Sequence, residues 1–179
     1  MDDITRDLPF VFVYIDDLLI ASKSKKQHLE HLKILFQRLD EAGLVINTEK
    51  TLLGQSEVSF LGHTVSKHGI QPLPAKVQAI NNVPSPTTIK QLRRFLGMIN
   101  FYRRFIKNAA TILAPFNHLL QGTGVHSSLP ITWSTDVELA FIQAKKALAS
   151  ATLLVHPKID AEWGIFSDAS GEAIGSVLQ

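Results

Sequence analysis

The chain has 179 residues, a formal net charge of +2, 45% hydrophobic and 19% charged residues, and no cysteine. That balance describes one globular domain or two small ones, with enough chain to bury a core unaided, and excludes a disordered tail, disulfide scaffolds, thiolate zinc sites and cysteine nucleophiles. No apolar run approaches the roughly 20 residues of a membrane span, and Asp2, Asp3 and Asp7 stand where a signal peptide is basic, so the expectation is a soluble, intracellular protein that is neither secreted nor membrane-bound.

Residues 10–14 and 18–21 are short apolar, aromatic and β-branched runs around Ile15, Asp16 and Asp17, which predicts a buried hairpin of two central strands. Ser22 and Ser24 then offer caps for a helix in which Leu29, Leu32, Leu35, Phe36, Leu39 and Ala42 recur at helical spacing until Gly43. Leu44 to Ile46, Val58 to Leu61, and Thr64 to Val65 read as strands, the last turning through Ser66, Lys67, His68 and Gly69 to Ile70. Strand, helix and further strands make an α+β unit. Pro72, Pro74, Pro84 and Pro86 surround a short helix near Ala75 to Ile80 and mark the expected domain boundary. Beyond it the chain turns helical. Thr88 with Gln91, and Thr135 with Glu138, fit capping boxes on either side of a loop from Gly122 to Pro130. The second helix runs to about Ala149, and a last hairpin follows, with strands at Glu162 to Ser167 and Ile174 to Leu178 around a turn that contains Asp168.

The adjacent Asp16 and Asp17 carry the first candidate chemistry. Two neighbouring carboxylates between apolar runs repel each other and call for a cation, and Mg²⁺ commonly takes one or two protein carboxylates and completes its shell with water and phosphate. A solvated, acidic hairpin tip is the other reading of the same residues.

The stretch from Thr87 to Lys107 carries Lys90, Arg93, Arg94, Arg103, Arg104 and Lys107 and no acidic residue. At 100° per residue Leu92, Phe95, Ile99, Tyr102 and Ile106 share one face of a helix, and Lys90, Arg93, Arg94, Gly97, Asn100 and Arg104 the other. A mid-helix glycine costs about 1 kcal/mol relative to alanine, so Gly97 within the basic stripe marks a place for another backbone to approach. A sugar-phosphate backbone is one candidate, held by contacts that position a duplex without reading its sequence. A solvated basic face over a small core is the alternative. His28 and His31, three apart on the first helix, lack a third ligand nearby and read as a surface pair, and His63 and His68 only flank a turn. There is no phosphate-binding glycine loop and no zinc motif.

Tyr14-Ile15-Asp16-Asp17 resembles the active-site hairpin of reverse transcriptases. Continuing through His28 to Leu32, Gly43 to Asn47, Phe60-Leu61-Gly62-His63, Gln91 to Gly97, Asn100 to Phe105, Leu153 to Pro157 and Asp168-Ala169-Ser170, the whole chain resembles the Pol polyprotein of gypsy-type LTR retrotransposons. The resemblance implies the carboxyl-terminal half of a polymerase palm over residues 1–71, a helical thumb over 72–130, and the first hairpin of a truncated ribonuclease H-like α/β domain over 131–179. It implies Asp16 and Asp17 as catalytic, metal-holding carboxylates, Tyr14 against the primer or template, and Phe60, Leu61 and Gly62 gripping the primer end. Lys90, Gln91, Arg93, Arg94, Gly97, Asn100 and Arg104 would line the template-primer minor groove, and Asp168 would be the first metal ligand of the ribonuclease H site. The implied cofactor is Mg²⁺, with Mn²⁺ as the alternative. The implied partners are an RNA-DNA or DNA template-primer duplex and deoxynucleotides, and the implied setting is the cytoplasm, a virus-like particle or the nucleus. Against the family pattern, the fingers, the upstream catalytic aspartate and the later ribonuclease H carboxylates have no counterpart, and Glu172 is not assigned to that site. The expectation is a polypeptide that lacks both activities on its own.

Overall fold

The computed structural model describes residues 2–121, 128–151, 153–156, 160, 162, 164–169 and 174–178. Helices and small antiparallel sheets alternate in it, an α+β fold as the sequence leads one to expect.

The first unit contains α1 (Asp2–Thr5), β1 (Val11–Tyr14), β2 (Asp17–Ile20) and α2 (Lys25–Glu41). Strands β1 and β2 pair antiparallel from Val11 opposite Ile20 to Tyr14 opposite Asp17, so only Ile15 and Asp16 form the turn and Asp17 opens the second strand. Ser24 caps α2 by accepting from the Gln27 N–H, and Gly43 closes it at φ +68°, a conformation open to a residue without Cβ. Leu8, Leu35 and Leu39 form a small core with Phe10, Val11, Leu18, Ile20 and Phe36 around it. The expected burial on both faces does not occur. Among the described residues no third strand joins the hairpin, and alternation sends Phe12 and Tyr14 to the uncovered face, 56% and 52% exposed. Leu29, expected on the packed side of α2, is likewise exposed.

Leu44 to Ile46 is irregular chain and not the expected strand. No strand pairs with it among the described residues, and Val45 is 96% exposed, because a strand needs a neighbour to take its backbone hydrogen bonds and apolar residues alone supply none. The next three strands, β3 (Glu57–Phe60), β4 (His63–Ser66) and β5 (Gly69–Pro72), form a meander. Leu61 and Gly62, at φ +48° and +75°, join β3 to β4 in the two-residue turn that needs positive φ at both positions. Residues 153–156 then lie along β5. Ile70 and Leu154 exchange backbone hydrogen bonds of 2.8 and 2.9 Å, and His156 Nε2 lies 2.7 Å from the Ser66 carbonyl.

Helices α3 (Pro74–Asn81), α4 (Ile89–Phe101), α5 (Ala109–Leu120) and α6 (Thr135–Ala149) build the main core. Leu92, Phe95, Ile99, Phe116 and Leu148 are almost completely buried there, and Phe95 packs against Phe116 and Phe141 at ring separations of 6.1 and 4.7 Å. The amphipathic stripe of the basic segment is as expected, but its helix stops at Phe101 and continues as a 3₁₀ turn, Arg103–Phe105. The capping details also move by one residue. Thr88 accepts from the Gln91 N–H, yet the Gln91 side chain reaches back to Thr87, and Ser134, not Thr135, caps α6. Much of the predicted 122–130 loop lies outside the described residues. Strands β6 (Ile165–Ala169) and β7 (Ile174–Leu178) form the last hairpin. Asp168 sits inside β6 opposite Gly175 and not in the turn, since the strand runs two residues further than Ser167, while Ser170, Gly171 and Glu172 lie outside the described residues. No helix among those described is long and apolar enough to cross a membrane.

Candidate nucleic-acid and metal-binding surfaces

The hairpin tip shows local strain. Ile15 holds φ +54°, a conformation that a β-branched side chain rarely adopts and that costs on the order of 1–3 kcal/mol. It is 71% exposed, so its own packing does not offset that cost. The strained residue turns the chain just before Asp16 and Asp17, both exposed, and no salt bridge or hydrogen bond occupies either carboxylate among the described residues. Two exposed carboxylates without a competing cation suit a hard divalent ion that takes one or two protein oxygens. They are only part of a ligand set, because the described residues contain no cluster of three acidic or histidine side chains able to hold a metal. Tyr14 is the cross-strand partner of Asp17 and presents an exposed ring beside it.

A second surface lies on α4. Ile89, Leu92, Phe95, Leu96 and Ile99 are buried while Lys90, Gln91, Arg93, Arg94, Gly97 and Asn100 are exposed, so the helix fixes its basic side outward by burying the opposite one. A Cβ built on Gly97 would meet no heavy atom within 4 Å. No other part of the described chain therefore explains the glycine. Arg104 falls on the 3₁₀ turn beyond the helix, exposed but anchored, with its guanidinium 3.2 Å from His63 Nε2 and 4.9 Å from the Phe105 ring centre.

The β3–β4 turn meets this end of α4. The Tyr102 hydroxyl donates to the Gly62 carbonyl at 2.8 Å, and the Leu73 N–H donates to the same oxygen at 3.1 Å. Phe60, Leu61 and Gly62 are thus tied to the basic helix by a carbonyl held from two sides. His63, which the sequence offered only as a turn-flanking residue, is buried between the two elements, whereas His68 is exposed. The signal available was the position of His63 directly after a two-residue turn, where it must open the next strand. Its burial depends on aromatic residues some forty positions downstream. His28 and His31 are half-buried and not a solvated pair: both direct Nδ1 at the Ser22 hydroxyl, at 3.0 and 2.8 Å, and His31 stacks on Phe10 with ring centres 3.7 Å apart. They fasten α2 to the hairpin.

The family described as reverse transcriptase (RNA-dependent DNA polymerase) matches residues 1–65. The retrovirus-related Pol polyproteins of the transposons opus and gypsy of Drosophila melanogaster are 36% and 32% identical, each over 99% of this chain. The chain is thus similar, over nearly its whole length, to retrovirus-related Pol polyproteins of LTR retrotransposons. The Tf2-3 transposon polyprotein of Schizosaccharomyces pombe is 33% identical over 94% of this chain. The chain spans between 12% and 18% of the length of these curated relatives. Among solved structures, the foamy viral protease-reverse transcriptase in complex with double-stranded DNA matches with a TM-score of 0.83 at 27% identity, covering 94% of this chain and 29% of that one. The same viral protein in complex with an RNA/DNA hybrid matches with a TM-score of 0.81 at 28% identity, over 94% of this chain and 23% of that one. The similarity thus extends well past the matched first third.

Proposed function

We propose that this chain is a polymerase segment of a retrotransposon RNA-directed DNA polymerase, joining the palm hairpin that carries Asp16 and Asp17 to a thumb that holds the template-primer duplex, and running into the beginning of a ribonuclease H-like domain. The observation that carries the reading is the strained hairpin tip, where Ile15 at φ +54° presents two exposed carboxylates, within residues that match the reverse-transcriptase family. Asp16 and Asp17 would hold Mg²⁺, or Mn²⁺, and Asp168 would begin the second acidic site. When bound, the metal pair supplies charge stabilisation for the attacking primer 3′-oxygen and the leaving oxygen in nucleotidyl transfer. The chain's own contribution is positional. Tyr14 and the turn at Phe60, Leu61 and Gly62 would steady a primer terminus. Lys90, Gln91, Arg93, Arg94, Asn100 and Arg104 supply donors for phosphates and groove edges, and Gly97 leaves room for the backbone between them. Deoxynucleotides and an RNA-DNA or DNA duplex are the corresponding partners.

A second reading, a non-catalytic duplex-binding module, is favoured by one specific observation: the basic face is complete, while no third metal ligand accompanies the two carboxylates among the described residues. On either reading the isolated chain does not extend a primer. A binding experiment separates them. With a labelled RNA-DNA hybrid, the double variant Arg93→Ala, Arg94→Ala should lose affinity and lower the slope of log K against log salt by about one per arginine. If Mg²⁺ strengthens binding and Asp16→Asn removes that gain, the polymerase reading stands. If metal and Asp16→Asn are both without effect, the binding module remains. Template-dependent synthesis by the purified chain would overturn the inactivity, and hybrid binding insensitive to both salt and the double variant would overturn the assignment of α4.

A further inference from the structure

His63 joins the two elements that the preceding reading assigns to the duplex. It is the first residue of β4, 8% exposed, and its ring lies 5.3 Å from Phe101, 5.4 Å from Tyr102 and 5.5 Å from Phe105. The Arg104 guanidinium approaches Nε2 at 3.2 Å. Arginine has donors and no acceptor, so Nε2 must accept and carry no proton. The proton of the neutral ring then sits on Nδ1, on an imidazole whose electrostatics also feel the Leu61 backbone of the turn. One ring thereby spans from the β3–β4 turn to the guanidinium on the 3₁₀ turn, while the Tyr102 hydroxyl holds the neighbouring Gly62 carbonyl.

We propose that His63 is a positioning residue, whose neutral Nδ1–H form holds the Arg104 guanidinium and the Leu61-Gly62 turn as one preset contact surface for a nucleic-acid backbone. This rests on the duplex-binding reading above. An arginine on an exposed 3₁₀ turn otherwise samples many rotamers, and fixing it before association removes an ordering cost from the binding step. The ring suits this task because its acceptor edge faces the arginine while its faces and sides are filled by aromatic residues.

The same geometry makes the joint sensitive to acid. Burial first, and the Arg104 charge second, hold the His63 pKa below its ordinary 6.5. The ionisable groups facing the ring are Arg104 from the 3₁₀ turn and the Tyr102 phenol from the end of α4, and no carboxylate is among its described contacts. At neutral pH the ring is uncharged. As pH falls from 6.5 through the depressed folded value, protonation places a donor and a positive charge against Arg104, and the contact is lost.

The test is a double-mutant cycle on the full chain, with hybrid binding followed by fluorescence anisotropy at pH 7.5. His63→Phe and Arg104→Ala should each weaken binding about fivefold, and the double variant should be no weaker than the worse single. His63→Gln, which can restore an acceptor without a titrating ring, should return to within about twofold of wild type and lose the weakening of binding that wild type shows below pH 6.5. Where His63→Phe loses the wild-type melting transition, nitrogen NMR of histidine-labelled wild type decides: neutral Nδ1–H supports the proposal and Nε2–H overturns it. Additive single effects overturn it as well. These results are separable from failure of the underlying reading, in which wild type binds no hybrid or the Arg93, Arg94 double variant binds as wild type does, and the inference falls with that reading.

Discussion

The hairpin unit and the helical unit are built on opposite terms. Around β1, β2 and α2 the buried apolar residues are Leu8, Leu32, Leu35 and Leu39, and the outer hairpin face leaves Phe12, Tyr14 and Ile15 in solvent. Around α4, α5 and α6 an uninterrupted core runs through Leu92, Phe95, Ile99, Phe116, Phe141 and Leu148. The region that presents the carboxylates is thinly held, whereas the region that presents the basic stripe has its own foundation. A rigid cationic face can therefore form whether or not the acidic hairpin is well covered, which is why the proposed duplex binding and the proposed metal binding can be tested separately.

The sharpest way to break that contrast is through Phe95. It is fully buried and packed against two other phenylalanines, so Phe95→Ala should cost about 3–5 kcal/mol through lost burial and a residual cavity. Chemical denaturation followed by hydrogen exchange should show the loss in α4, α5 and α6, with exchange in α2 little changed. Equal loss of protection in both units would mean that they fold as one cooperative block, and the contrast would fail.

A smaller effect is expected where residues 153–156 reach β5. Gly69 has φ +144°, and a Cβ there would stand 2.1 Å from the Leu154 carbonyl oxygen and 2.8 Å from its carbon. Gly69→Ala should expel that segment and cost about 1–3 kcal/mol through strain and lost pairing. The Ile70 amide, which donates to Leu154, should lose its exchange protection, while the hairpin at Asp16 is unaffected. Retention of that protection would show that the meander shifts to admit a methyl group.

What the sequence disclosed follows from how local each cause is. Helices α2, α4 and α6 were legible because their apolar periodicity and capping residues lie within a few positions of each other, and the β4–β5 turn because Gly69 marks it. Leu44 to Ile46 misled because strand formation is decided by a partner, and apolar β-branched residues signal only readiness for one. The twelve-residue helix α5, with Pro115 inside it, is legible only as part of a helical region, because proline argues against a helix interior. The role of His63 was invisible for the same reason as the pairing of Leu154 with Ile70: both arise between residues tens of positions apart. Of the candidate sites, the amphipathic division of the basic stripe is legible apart from the break after Phe101, while the doublet at Asp16 and Asp17 is legible as two adjacent carboxylates at a hairpin but not in its geometry, since the strain at Ile15 has no signature in residue type.

Gly97 sharpens the comparison by separating stability from binding. Alanine there meets nothing within 4 Å and has the better helix propensity by about 0.8–1 kcal/mol. Gly97→Ala should therefore raise the stability of the helical unit by roughly that amount while weakening hybrid binding, because the added methyl group intrudes where a sugar-phosphate backbone would lie. Higher stability with unchanged hybrid affinity would remove Gly97 from the contact surface and leave the arginines to act at longer reach.

The smallest change should come at the hairpin tip. Asp16 is exposed and pairs with no cation among the described residues, so Asp16→Asn removes one charge of an adjacent acidic pair without opening a cavity or breaking an ion pair. The expected effect on unfolding free energy without metal is within about 0.5 kcal/mol, the range of an ordinary surface substitution. Relief of repulsion from Asp17 gives the change, if it is measurable at low salt, a stabilising sign that fades as salt is added. Repeating the denaturation in millimolar Mg²⁺ turns this null effect into a discriminating one: if the folded doublet holds the ion as proposed, mass action should stabilise wild type and leave the variant behind. A destabilisation of several kcal/mol without metal would instead mean that Asp16 supports the turn itself, and the acidic tip would then belong to the hairpin's architecture and not to a metal site.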